Sequence, residues 1–273
     1  MSFGYDMRSV APTVCNVLGV RPPKFSETEP ITEILDSMGR QKRLVVVVID
    51  AFGVSTWTRM RTETPTFNAL ANRHLLQIRS VMPTITPVNF ATMLTGAAPH
   101  THGIRDRTED LDLETVFDVL RKKGGTSGTA ARALSSLGIL ISPYADQPGI
   151  AESNSDMEVT ALALEGIMGG VDLLWVQLLD VDDAGHLHGP LSPQSANAVK
   201  EADEHLRAIA ALAWRLGYAL LTLSDHGQHT AADGEGDKRG THGTASDEDI
   251  YVPLVWATPE EIRGALGLIG GGD

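Results

Sequence analysis

Several apolar runs in this chain break off at side chains that can hold a metal ion. Leu44 to Ile49 runs into Asp50, followed by Ala51-Phe52-Gly53, and Leu221-Thr222-Leu223-Ser224 runs into Asp225-His226-Gly227. A third run ends in Leu179-Asp180-Val181-Asp182-Asp183-Ala184-Gly185-His186, with a carboxylate and an imidazole four residues apart. On a helical turn, positions i and i+4 share a face and can grip one ion. A fourth piece, Gly240-Thr241-His242-Gly243, sets a histidine between glycines, which suits a tight backbone path. Taken singly, each has a plainer reading: Asp50 as a turn or cap residue, and any one of nine histidines as a surface or hydrogen-bonded group. Taken together, three Asp and three His form a ligand set suited to Zn²⁺ or Mn²⁺, sufficient for two ions with open positions. Paired cations ~4 Å apart are a recurrent solution for phosphoryl transfer, because they activate the attacking oxygen and stabilise the leaving one.

Such chemistry needs a nucleophile. Pro83-Thr84-Ile85-Thr86-Pro87-Val88-Asn89-Phe90 offers a hydroxyl beside a proline turn, ahead of a helix expected over Phe90 to Thr95. The N-terminal amides of that helix favour an anion. Without the metal residues, Thr84 or Thr86 would be read as a helix cap.

The elements that must position these residues follow from hydrophobic patterning. Leu44 to Ile49, Leu173 to Leu179, Tyr218 to Leu223 and Tyr251 to Trp256 are short runs rich in Val, Leu and Ile without clean alternation, as strands covered on both faces read. Helical patterns lie between them at Leu113 to Lys123, Met157 to Met168 and Gln194 to Leu216, the last with Ser192-Pro193 as cap and first turn. The alternation predicts an α/β fold with a mainly parallel sheet and right-handed crossovers. Asp50, Asp225 and the residues after Leu179 then fall at the carboxyl edge of the sheet, where open α/β sheets bind ligands. No repeat or biased linker divides the chain, so residues 1–273 are expected to form one domain. The segment Ala231 to Gly240 reads as an exposed loop and Gly270 to Asp273 as a frayed tail.

Composition narrows the function classes. A formal charge of −13 argues against a binder of duplex nucleic acid or of anionic membranes, since both need clustered Lys and Arg. A phosphate site in so acidic a chain must be locally positive, and bound cations can reverse the local sign. Cys15 is the single cysteine, which excludes an intramolecular disulfide and thiolate metal sites. No stretch approaches the ~18 apolar residues of a membrane span, and the N-terminus lacks a basic segment followed by an apolar run. The expected location is therefore the cytoplasm.

With these residues in order, the chain resembles the alkaline phosphatase superfamily, and within it the type I phosphodiesterase and nucleotide pyrophosphatase family. The resemblance runs from about Leu44 to Trp256: a strand ending in Asp, a Thr-x-x-Asn stretch running into Thr-Gly, Asp-x-x-x-His-x-x-Gly-Pro, Ser-Asp-His-Gly and Gly-x-His-Gly. It implies a three-layer α/β/α sandwich. It implies Thr86 as nucleophile and metal neighbour, with Thr84 the competing hydroxyl, and Asn89 as a donor to a phosphoryl oxygen. One ion would sit on Asp182, His186 and His242, and the other on Asp50, Asp225 and His226. Attack by Thr86 would give a phosphothreonine intermediate, with the bound metal in place of a general base.

Two departures stand out. His102-Gly103-Ile104-Arg105-Asp106 carries Arg105 where relatives often have asparagine, which makes it either a phosphate contact of this chain or a surface charge. Residues 10–20, from Val10 to Val20, look like a helix that many superfamily members carry after the last strand, so they are either a permuted helix or a chance Ala-Pro-Thr helix start.

The expected activity is a small-molecule phosphodiesterase. Phosphomonoesterase, phosphonate hydrolase and phosphomutase share the same core, and a catalytically silent binding module is the reading from another class. A sulfatase would need a Cys/Ser-x-Pro-x-Arg context that Cys15 lacks, and a phosphoglycerate-type mutase would be expected to use serine and a large inserted domain.

Overall fold

The computed structural model describes residues 4–232 and 239–268. Most of the expected loop and tail, at 233–238 and 269–273, lies outside the described residues. Among the described residues nine strands follow in chain order: β1 (Leu44–Ile49), β2 (Leu75–Arg79), β3 (Ser127–Arg132), β4 (Gln147–Ala151), β5 (Leu173–Leu178), β6 (Ala219–Leu223), β7 (His229–Thr230), β8 (Gly240–Thr241) and β9 (Tyr251–Ala257). Seven form one sheet in the order β2-β9-β6-β1-β5-β3-β4, and β7 pairs with β8 separately. In the large sheet only β9 runs against its neighbours, so the sheet is mainly parallel.

The central strand shows why the runs lack alternation. Leu44, Val46 and Val48 enter one apolar core, while Val45, Val47 and Ile49 enter the other. With helices on both faces, each residue of β1 is removed from water. The first face is covered by the helices Val10–Val17, Thr86–Thr95 and Val116–Lys122, and the second by Pro65–Ala71, Asp156–Gly169, Pro193–Arg215 and Pro259–Leu266. The result is a three-layer α/β/α sandwich. The first and last of these helices pack on opposite faces of the sheet.

The long helix begins where Ser192-Pro193 foretold, with the Ser192 side chain accepting from Ser195 N. The helix expected from Phe90 starts a full turn earlier, at Thr86, with Pro87 in its first turn.

One buried ion-pair cluster fixes the element that carries Asp182 and His186. The carboxylate of Asp156 accepts from Leu179 N at 3.0 and 2.8 Å and from Asp180 N at 2.8 Å, at the start of the helix Asp180–His188. Arg132, at the end of β3, donates to Asp156 at 2.6 and 3.1 Å, to Asp183 at 2.7 Å, and to Asp180. Removing one partner of a buried pair leaves uncompensated charge. We expect Asp156→Ala to lower unfolding free energy by about 3 kcal/mol, the low end for such a change because Arg132 keeps two other carboxylates. Chemical denaturation measures it; a loss below about 1 kcal/mol would show that the cluster does not hold this helix.

Candidate metal centre

Three neighbouring parallel strands, β6, β1 and β5, end at one edge of the sheet, and their next residues supply Asp225-His226, Asp50 and the helix Asp180–His188. The turn after Asp50 is tight. Ala51 takes φ 57°, the single positive φ of a non-glycine among the described residues, and Ser224 Oγ accepts from Phe52 N at 2.9 Å. Gly227 lies so close to the neighbouring segment that a Cβ there would sit 1.9 Å from the Glu248 carbonyl oxygen. Gly185 plays the same part for Asp182: a Cβ would fall 1.7 Å from Gln228 Oε1, whose amide donates to Asp182 Oδ1 at 3.2 Å.

Among the described residues, two groups could each hold a cation: Asp182, His186 and His242, and Asp50, Asp225 and His226. In the first, Asp182 Oδ1 is 3.4 Å from His186 Nε2 and 3.6 Å from His242 Nε2, and the two Nε2 atoms are 3.2 Å apart. In the second, His226 Nε2 is 3.5 Å from Asp50 Oδ1 and 3.3 Å from Asp225 Oδ2. Zinc bonds of roughly 2.0–2.1 Å at tetrahedral angles set ligand atoms roughly 3.3–3.4 Å apart, so both spacings fit one ion.

The hydrogen bonding points the same way. Each imidazole turns Nδ1 to a backbone carbonyl: His186 to Gly240 at 2.8 Å, His242 to Thr84 at 2.9 Å and His226 to Gly227 at 3.0 Å. Nδ1 is therefore the protonated nitrogen, and the Nε2 lone pairs face inward. Asp50 Oδ1 and Asp225 Oδ2 are buried with no hydrogen-bond partner among the described residues. Lone pairs aimed at carboxylate oxygens repel unless something positive lies between them, so these residues fit a bound cation.

The expected nucleophiles separate clearly. Thr86 Oγ1 lies 3.1 Å from His226 Nε2, beside the second group and at the start of its helix. Thr84 is fully buried, its hydroxyl donating to the Thr244 carbonyl at 2.9 Å and accepting from Gly243 N at 3.0 Å. Asn89 does different work from that expected of it. Its Oδ1 accepts from Val81 N at 2.8 Å, and its amide donates to the carbonyls of Val81 at 3.3 Å and Ile85 at 3.2 Å. Those bonds engage both amide hydrogens inside the protein, so Asn89 braces the 81–85 loop instead of reaching outward. Cys15 is in the core, where burial pushes its thiol up to about 12.

Gln177 was not foreseen. It is the one polar residue of β5, and it donates to Asp50 Oδ2 at 2.6 Å while accepting from Leu137 N at 3.0 Å. A lone glutamine in the run Leu173 to Leu178 was the available signal. Arg105 is exposed and lines a cavity that includes Thr86 and the first group.

A family model, type I phosphodiesterase / nucleotide pyrophosphatase, matches residues 44–118 and 142–245. The chain belongs to this family. The 2,3-bisphosphoglycerate-independent phosphoglycerate mutase of Helicobacter pylori is 32% identical over 114 residues, 42% of this chain but only 23% of that enzyme's length. Murine ectonucleotide pyrophosphatase / phosphodiesterase 5, as an inactive threonine-to-alanine variant in complex with AMP, superposes with a TM-score of 0.66 at 15% identity, over 85% of this chain and 96% of that one. Phosphonoacetate hydrolase from Sinorhizobium meliloti, in complex with phosphonoformate, superposes at 0.55 with 16% identity, over 72% of this chain and 59% of that one. At these identities the superpositions show a shared fold.

Protonation gives the site a measurable signature. Burial pushes Asp225 up to about 8, helped by the charge of Asp182, and raises Asp50 well above the usual carboxylate range, with Asp225 and Asp182 adding to it. Burial also lowers His226, and it takes His242 down to about 4. Above pH 6.5 these histidines are mainly neutral whether the chain is folded or not. From there to about pH 8 the native carboxylates keep protons that the unfolded chain has released. Stability of the cation-free protein therefore falls as pH rises through this window. A bound cation replaces those protons. We expect zinc to raise the Tm of chelator-treated protein more at pH 8 than at pH 6.5, with a lower Tm at pH 8 before zinc is added. Thermal melts in the four conditions check this, and an equal or larger zinc shift at pH 6.5 would count against a cation between these groups.

Proposed function

We propose that this protein is a divalent-cation-dependent hydrolase of phosphoric esters, diesters before monoesters, acting through Thr86. The observation carrying the proposal is the hydroxyl of Thr86, 3.1 Å from His226 Nε2 and next to the unpartnered oxygens of Asp50 and Asp225. Thr84 has both of its hydrogen-bonding roles filled, which supports the choice between the two hydroxyls. The inactive threonine-to-alanine form of the murine relative points in the same direction.

In this reading the Thr86 oxygen attacks phosphorus in line, the leaving alkoxide departs, and phosphothreonine forms. Water then attacks that phosphorus and returns the Thr86 hydroxyl. The helix Thr86–Thr95 presents its first turn to the phosphoryl oxygens, a favourable place for negative charge. Asn89 keeps the 81–85 loop, and with it Thr86, in register. Cations held by Asp182, His186 and His242 and by Asp50, Asp225 and His226, zinc by choice of donors and manganese as the alternative, would lower the pKa of the Thr86 hydroxyl and of the water and draw charge from the phosphoryl oxygens. No histidine is needed as base. A mutase has the 114-residue match behind it; there the phosphoryl group would return to the substrate instead of passing to water.

The test is turnover of bis-p-nitrophenyl phosphate and p-nitrophenyl phosphate by the zinc- or manganese-loaded protein. We expect the diester to react faster and Thr86→Ala to lower kcat by at least about 10³-fold while zinc content and fold persist. Thr84→Ala, which strands Gly243 N, should cost about 1–3 kcal/mol of stability and keep most of the rate. Equal rate losses in the two variants would refute the assignment, and isomerisation of a phosphoglycerate without hydrolysis would move the enzyme to the mutases.

A further inference from the structure

Beside the first metal-capable group lies a cavity of about 370 Å³ whose lining includes Thr86, His186 and His242 on the side of the chemistry. A phosphoryl group at Thr86 would extend the rest of its molecule into this space. The charged residues farther along the lining are unequal in what they have left to offer. Asp183 is engaged by Arg132 at 2.7 Å, and Asp106 accepts from Thr108 N and Oγ1 at 2.9 and 2.8 Å. Arg105, by contrast, has no hydrogen-bond or ion-pair partner for its guanidinium among the described residues, and Arg107 gives one N–H to the Leu134 carbonyl at 2.8 Å. Ser136, also in the lining, is only 3% exposed and its hydroxyl has no partner among the described residues. In a chain of net charge −13, the Arg105 guanidinium, the rest of the Arg107 guanidinium and the hydroxyl of the buried Ser136 are left without a partner in this cavity. Among the described residues no Phe, Tyr or Trp lines it, so a flat base would find no aromatic ring of theirs to stack on.

We propose that Arg105, Arg107 and Ser136 form a subsite for a second anionic group of the substrate. The substrate class is then compact phosphoric esters or phosphonates that also carry a carboxylate or a further phosphate. This rests on the phosphoryl-transfer reading of the adjoining Thr86 centre. Arg supplies a forked donor matched to carboxylate and phosphate oxygens, and its hydrogen bonds to them are charge-assisted.

The experiment is calorimetric titration of the zinc-loaded full chain with three phosphonates of similar size: propylphosphonate, 3-phosphonopropionate and ethylenediphosphonate. One or both doubly anionic ligands should bind at least about tenfold tighter than propylphosphonate. The tighter of the two identifies the carboxylate or the phosphonate as the preferred second group. The double variant Arg105→Ala with Arg107→Ala should bring all three within about twofold, at unchanged zinc content and Tm, and the double Lys variant should restore part of the preference. Equal binding of the three ligands by the wild type, no binding of any, or a preference that survives the double Ala change would overturn the subsite. So would tighter binding of AMP than of either doubly anionic phosphonate. Because the readout is binding, a wild-type preference that the double Ala change abolishes, without turnover of any ester, would remove the hydrolase reading and leave the subsite standing.

Discussion

Asp50 and Asp225 follow the ends of two adjacent strands, β1 and β6, and come within 4.8 Å of each other and of His226. Each keeps one buried oxygen that has no hydrogen-bond partner among the described residues. Two like charges ~4 Å apart repel by roughly 4 kcal/mol even at an effective dielectric constant of ~20. Among the described residues, no lysine or arginine pairs with either carboxylate, and the imidazole between them points a lone pair inward. The centre must therefore hold either protons or a cation. That requirement links the burial of the carboxylates, the orientation of the three histidines and the location of Thr86.

The fold sustains this unfavourable concentration of negative charge by making its surroundings rigid. Strands covered on both faces fix the backbone up to Asp50 and Asp225, while the Asp156 carboxylate and Arg132 hold the start of the helix that carries Asp182 and His186. Two amide side chains, Gln177 and Gln228, each hold one carboxylate oxygen and so orient the carboxylates without cancelling their charge. Where segments must approach more closely than a Cβ allows, the chain has Gly185 and Gly227. The nucleophile is positioned by the same means: Asn89 and Thr84, both fully buried, tie the 81–85 loop to the Thr86–Thr95 helix and to the segment bearing His242.

The parts legible in the sequence were those in which one residue type carries the information. The runs Leu44 to Ile49, Leu173 to Leu179 and Tyr218 to Leu223 are apolar enough to announce the buried parallel strands β1, β5 and β6, and the Asp and His residues just beyond them mark the sheet edge. The strands β2, β3 and β4 were missed because Leu75–Arg79 is half exposed at a sheet edge, Ser127–Arg132 is built of small and polar residues, and Gln147–Ala151 contains a proline and a glycine. Their strand identity comes from their neighbours. Roles that depend on a tertiary partner were equally hidden. Nothing local distinguishes the buried hydroxyl of Thr84 from the available one of Thr86, and nothing local tells that the Asn89 amide turns to backbone carbonyls. The Asp156 and Arg132 pair joins residues 24 positions apart.

The most direct measurement is anomalous diffraction above and below the zinc edge from crystals of zinc-loaded protein. Two peaks are expected, one among Asp182, His186 and His242 and one among Asp50, Asp225 and His226, with Thr86 Oγ1 at or beside the second. A single peak elsewhere, or no zinc between these residues at saturating concentration, would contradict the two-cation centre on which the proposed chemistry rests.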